Sequence, residues 1–361
     1  MVTTAKIVER IKQSRWTKLY VASACFQGLT IIILQATIAY FNTAQINKGL
    51  QSDEIAGYPL TVTEAESISQ AINRLGRIKW ENIAFIGFQC WFVAMAFDAT
   101  VYQNAAEVIA LAVMNFACAV FGALEVIDGK KWLKILNEVR DKYNVPINTA
   151  PIRTAFYVEI VLSVMVGIFA LWFLYLSFKV VIEFGWTNYK KIGADLAIQR
   201  MYQTSQFFVL ALKIDIFIEF LVSVFYLIQF ALDEEFNSWI TYVFVVITIL
   251  MLPMLYFGRI ALASESYIKM GVFITFQLIV MFQLVLVADN AMGLDNHWYI
   301  WICFVILGMI VAVGTALLAS KCMYNFGKGL KPFIQRGAEK IELMKQRDAE
   351  EQAGRWAIED D

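Results

Sequence analysis

The chain has 361 residues, of which 59% are hydrophobic and 15% aromatic. With a mean hydropathy of +0.59, it is well above the roughly 45–50% apolar content of soluble domains, which excludes an ordinary soluble fold. Thirty Lys and Arg against 31 Asp and Glu leave a net charge of −1, so no bulk field exists for nucleic acid. A single histidine, His297, argues against His-based metal clusters and His-dependent triads. The cysteines show no C-x-x-C spacing, and Cys25, Cys90, Cys118 and Cys303 fall in apolar runs as small hydrophobes.

In chain order, Lys6, Arg10, Lys12, Arg15 and Lys18 make residues 1–18 a basic juxtamembrane segment whose simplest role is topogenic. Residues 19–41 form the first span. Trp16, Tyr20 and Tyr40 lie near its ends as anchors, and Gln27 and Gln35 inside it face other helices. Residues 42–81 form a polar connection in which the T-x-x-E motif of Thr61 and Glu64 starts a short surface helix over 63–79. A hairpin follows, with spans at 82–103 and 105–126 turned within 98–104; Gln89, Glu107, Asn115 and Glu125 are its polar insertions. Next comes KKWLKILNEVRDKYNVP, where Trp132, Leu133, Ile135, Leu136 and Val139 give a helical apolar face that stops before Pro146, as in an interfacial helix.

The fourth span covers 154–178, with Glu159 near its start, and the fifth covers 205–230. After the acidic turn at Asp233, Glu234 and Glu235, the sixth span, 238–257, carries Pro253 as a kink. GRIALASESYIKM then reads as a solvated connection in which Glu265 and Lys269 are spaced for a helical ion pair. Spans at 267–288 and 298–319 complete the series. From residue 321 onward the chain is a charged tail, helical over 338–352.

The fold class is therefore all-α: an integral membrane protein with a polytopic bundle of about eight transmembrane helices, seven being the alternative count. It has three parts, a basic segment (1–18), a transmembrane domain (19–320) and a charged helical tail (321–361). Lys and Arg outside the spans fall mostly on the side of the termini, which places both termini in the cytosol. The six between 127 and 153 run against that rule.

The most informative stretch lies around the fifth span. A charge near the bilayer centre costs from about 3 to over 10 kcal/mol, yet this span carries Lys213, Asp215 and Glu219. Asp215 and Glu219 share a helix face, and Lys213 lies on another. If the fourth and fifth spans are antiparallel neighbours, Glu159 joins the pair at a similar depth. Such a group either makes interhelical hydrogen bonds or lines an ion or proton path. Just upstream, the loop EFGWTNYKKIGAD sets Trp186 and Tyr189 beside Lys190 and Lys191, a composition suited to an interface, anionic headgroups or a membrane-protein partner. Cys322, beside Lys321 at the cytosolic end of the last span, is a candidate for palmitoylation. No G-x-S-x-G, H-E-x-x-H, P-loop or dinucleotide fingerprint is present, so no catalytic residue, metal ligand or cofactor is assigned.

EFGWTNYKKIGAD, RMYQTSQFF and LKIDIF, with LQATIAYF, YQNAAEVIALAVMNF and the stretch from Arg259 to Met270, together resemble an uncharacterised fungal family of multi-pass Golgi apparatus membrane proteins. The resemblance runs from about Trp16 to Ala319; Glu219 intrudes where the family's pattern is aromatic. It implies Golgi residence and a fungal source, and brings no activity, cofactor or catalytic residue. The leading reading is a non-enzymatic scaffold or trafficking protein. The alternative is an ion- or proton-coupled transporter or channel using the intramembrane carboxylates; a lipid-modifying enzyme and a seven-helix receptor rank below it.

Overall fold

The computed structural model describes residues 10–12, 14–49, 62–143, 148–192, 196–226, 239–292 and 299–328. Eight long helices account for nearly all of them: α1 Arg15–Gly49, α2 Val62–Tyr102, α3 Ala105–Tyr143, α4 Ala150–Ile192, α5 Leu196–Tyr226, α6 Trp239–Ser264, α7 Tyr267–Met292 and α8 Tyr299–Tyr324. Seven of the eight are long and apolar enough to cross a membrane. The eighth, α5, is long enough at 31 residues but holds the three charges. The protein is an all-α polytopic membrane protein. Many outward side chains are large and apolar, including Leu29, Ile33, Leu171, Ile249, Ile310 and Leu317, each more than half exposed. In a soluble protein such a surface would aggregate, whereas in a bilayer lipid covers it.

Three helices run on where the sequence suggests separate pieces. The surface helix expected over 63–79 and the second span are one 41-residue helix, α2. The amphipathic KKWLKILNEVRDKY is the continuation of α3. EFGWTNYKKI is the last part of α4, so Trp186, Tyr189, Lys190 and Lys191 stand on helical backbone rather than in a loop. The reason is common to all three. Between span and extension each helix meets a lone glycine (Gly76, Gly129, Gly185) and no proline, and one glycine costs only about 1 kcal/mol relative to alanine. Proline does act: α3 stops at Tyr143, before Pro146, and α4 opens with Ala150 and Pro151, where a missing N–H is harmless.

Two turns share one design. Gln103 and Glu265 both adopt positive φ, 55° and 48°, and the residue after each donates its N–H five residues back, Asn104 to Ala99 O (2.9 Å) and Ser266 to Ala261 O (3.3 Å). This left-handed closure satisfies the orphan carbonyls of a helix end. Asn104 then caps α3, accepting from Ala106 N at 3.1 Å and donating to Glu107 Oε1 at 2.8 Å. At the other turn Glu265 lies outside a helix, so the pairing expected with Lys269 gives way to a bond accepted from Gly327 N.

The chain divides into two compact units, Met1–Asn188 and Tyr189–Asp361. The first is a four-helix arrangement of α1–α4. Ile31, Ile38, Leu162 and Val166 form a core between α1 and α4, and Phe173 of α4 takes edge contacts from Tyr20 of α1 and Phe92 of α2, both at 5.2 Å. Gly28 brings α1 close to Val93 of α2. Near the start of α1, Lys179 stands over the rings of Trp16 and Tyr175, as a snorkelling lysine does at an interface. The second unit holds α5–α8, joined by Phe208 on Phe273 (5.8 Å), Phe225 on Trp301 (6.1 Å) and Tyr226 on Phe244 (4.9 Å).

Candidate functional site

Helix α5 contains neither glycine nor proline, so its residues keep strict helical register, and Asp215, Glu219 and Ser223 recur every four on one face. That face is the interior of the second unit, with all three side chains fully buried. Thr315 of α8 donates its hydroxyl to Asp215 Oδ2 at 2.7 Å. Gln277 of α7 donates its amide to Glu219 Oε1 at 2.6 Å. Each carboxyl group therefore ties α5 to a different neighbour. Asp215 Oδ1, Glu219 Oε2, Ser223 Oγ and Gln277 Oε1 have no protein hydrogen-bond partner. Gly308 of α8 faces Ile218 of α5 and Leu284 of α7, where an added Cβ would meet only ordinary contacts at 3.6 and 3.7 Å. Lys213 is half-buried on a different face from the carboxyls.

The stripe presents a row of acceptor oxygens in an apolar helix bundle. Chemically it is able to hold a proton or a small cation, or to serve only as interhelical glue. Among the described residues no group of three or more His, Cys, Asp or Glu side chains could hold a metal ion.

The other sequence candidates are placed elsewhere. Glu159 has its neighbours in the first unit, where its Oε2 stands over Gly129 of α3, so close that an added Cβ there would lie 2.5 Å away. Cys322 is buried, its Sγ 3.9 Å from the carbonyl of Thr204 on α5. S-acylation needs a presented thiol, and this one points into the α5–α8 seam. Cys25 and Cys90, read from sequence as small hydrophobes in apolar runs, face outward. The side chains of Trp186, Tyr189, Lys190 and Lys191 lie outside the described residues.

A second polar interior in the first unit is legible in sequence only as separate insertions. Gln27 of α1 donates to Gln89 Oε1 of α2 (3.3 Å) and Asn115 Oδ1 of α3 (2.9 Å), and Asn115 donates back to Gln27 Oε1 (3.0 Å). Further along, Gln45 of α1 caps α4 by accepting from Ile152 N at 3.1 Å and donating to Asn148 O at 2.8 Å. At the same end Arg74 of α2 pairs with Asp128 of α3 at 2.6 Å. The signal for this interior is a polar residue every eight to ten positions on consecutive spans, which names the residues but not their partners.

No family model matches the chain, and no solved structure matches it. Over 337 residues the chain is 23% identical to a UPF0658 Golgi apparatus membrane protein of Schizosaccharomyces pombe, a match covering 84% of this chain and 88% of that protein. An all-α, multi-pass architecture and this long, dilute similarity together make the chain a polytopic membrane protein similar, along most of its length, to a fungal Golgi apparatus membrane protein.

Proposed function

We propose that the protein is a multi-pass resident of the Golgi or a neighbouring endomembrane, with all eight long helices crossing and both termini in the cytosol, and that it acts without catalysis as a scaffold or trafficking factor. The observation that carries this reading is the similarity to a protein named for the Golgi membrane, spread over 84% of the chain rather than confined to one helix pair. The end of α4, with Trp186, Tyr189, Lys190 and Lys191, is the surface proposed to meet anionic headgroups or another membrane protein. A tagged full-length protein is expected to coincide with Golgi markers in fungal cells. Exclusive residence in mitochondria would overturn the compartment.

A second reading, a proton- or cation-coupled path through the second unit, is favoured by one feature: the unpartnered Oδ1 of Asp215 and Oε2 of Glu219 in a fully buried stripe. In that case Asp215→Asn and Glu219→Gln abolish a flux that the wild type supports in proteoliposomes. Equal behaviour of wild type and variants in every flux tested, with full rescue of a deletion phenotype, makes the carboxyls structural.

A further inference from the structure

Inside the first unit lies a cavity of about 10 Å³ lined by Ile31 and Gln35 of α1, Phe85 and Gln89 of α2, Glu125 of α3, and Leu162 of α4, among others. That is about the room one water molecule occupies. Gln35 and Glu125 are almost completely buried, and Gln35 Oε1 and Glu125 Oε1 are both acceptors with no donor. One water, carrying two O–H donors, satisfies both. The remaining residues of the wall are apolar apart from Gln89, whose Oε1 already accepts from Gln27.

Glu125 is also the inner end of a titratable chain. Glu81 and Arg74 of α2, Asp128 of α3 and Glu159 of α4 lie within electrostatic reach of it; among the described side chains α1 contributes Gln35 and no charge. The side chain of Asp128 is 37% exposed and that of Arg74 14%, so the outer end of this chain meets the surface while Glu125 sits beside the cavity. Gly129 leaves room for Glu159 Oε2 next to the same turn of α3.

We propose that this cavity is a one-water proton-binding site, with Glu125 as the group that carries the proton and Asp128 with Arg74 at its mouth. When Glu125 is ionised, the water donates to Glu125 Oε1 and Gln35 Oε1. When Glu125 takes a proton, its O–H donates to the water, which still donates to Gln35 Oε1. The proton enters from the solvent at Asp128 and leaves by the same route, so no other reactant is needed. The ligand is chemically a proton with one bound water. The site belongs to the first unit and the carboxyl stripe of α5 to the second, and the site does not depend on the compartment proposed above.

The test is infrared spectroscopy of the purified full-length protein in lipid nanodiscs, following the carboxylic-acid C=O band as pH is varied and as H2O is exchanged for D2O. Glu125→Gln is expected to lose a pH-dependent band that the wild type shows. Gln35→Leu keeps the carboxyl but removes the water's second anchor, and is expected to retain that band at a shifted frequency. Should Glu125→Gln not fold, Gln35→Leu still decides. A wild-type spectrum that Glu125→Gln leaves intact overturns the proposal. So does a band that Gln35→Leu does not move, since an idle orphan amide has no effect on Glu125. A Glu125 signal that responds to sodium and not to pH also overturns it, by making the occupant a cation.

Discussion

Gly28 shows how a single residue sets the distance between two membrane helices. A Cβ added there would sit 2.8 Å from Val93 Cγ2, and a β-branched valine has little freedom to move away. Gly28→Ala is expected to destabilise by about 1–3 kcal/mol, as overpacking does, read as a lower apparent melting temperature in detergent. Gly167→Ala, where nothing lies within 4 Å, is the control and is expected to hold or raise that temperature, because alanine favours helix. The amide trio behaves differently. Gln27→Leu strands Asn115 and leaves Gln89 short of a donor in the interior, at a cost of about 1–3 kcal/mol, while Gln27→Leu with Gln89→Leu and Asn115→Leu recovers most of it. The same measurement checks both. At Cys322, an acyl-exchange assay is expected to find no thioester, since the thiol is packed against Thr204.

At the level of the helix, α5 explains both what the sequence discloses and what it hides. That Asp215 and Glu219 share a face follows from their spacing alone, and so does the separation of Lys213 from them. Their partners, Gln277 and Thr315, lie 58 and 100 residues away, and neither Gln nor Thr is unusual enough in an apolar run to be singled out in advance. Hydropathy also understates α5, because it weighs the charges and ignores that the helix faces its own unit: among its described large apolar side chains only Phe207 and Ile216 are well exposed. The extensions of α2, α3 and α4 are less legible for another reason. Amphipathic periodicity marks a helix but does not say whether it joins the span before it. A glycosylation acceptor placed between residues 227 and 238 tests whether α5 crosses. With eight crossings the site is modified in the lumen; an unmodified site leaves seven.

On the scale of the whole molecule, each unit contains four helices and the bonds that close its own interior. Residues 1–192 expressed alone are therefore expected to insert, stay in the membrane on alkaline extraction and resist protease over α1–α4; degradation of that fragment would show that the first unit needs the second. Three basic residues at its far end are held locally: Arg74 by Asp128 and the ring of Trp132, Lys134 by Glu138, and Arg140 by Asp141 and Thr149. These contacts give them a part in the fold. The second unit depends on order of synthesis. Asp215 waits for Thr315, 100 residues downstream, which at about 5–20 residues per second is roughly 5–20 s of ribosome time. Through that interval α5 holds a carboxyl group whose partner does not yet exist. A chain cut short before α8 leaves Asp215 without its Thr315 donor, and is expected to be more readily degraded than the full chain, as a pulse-chase comparison of the two would show.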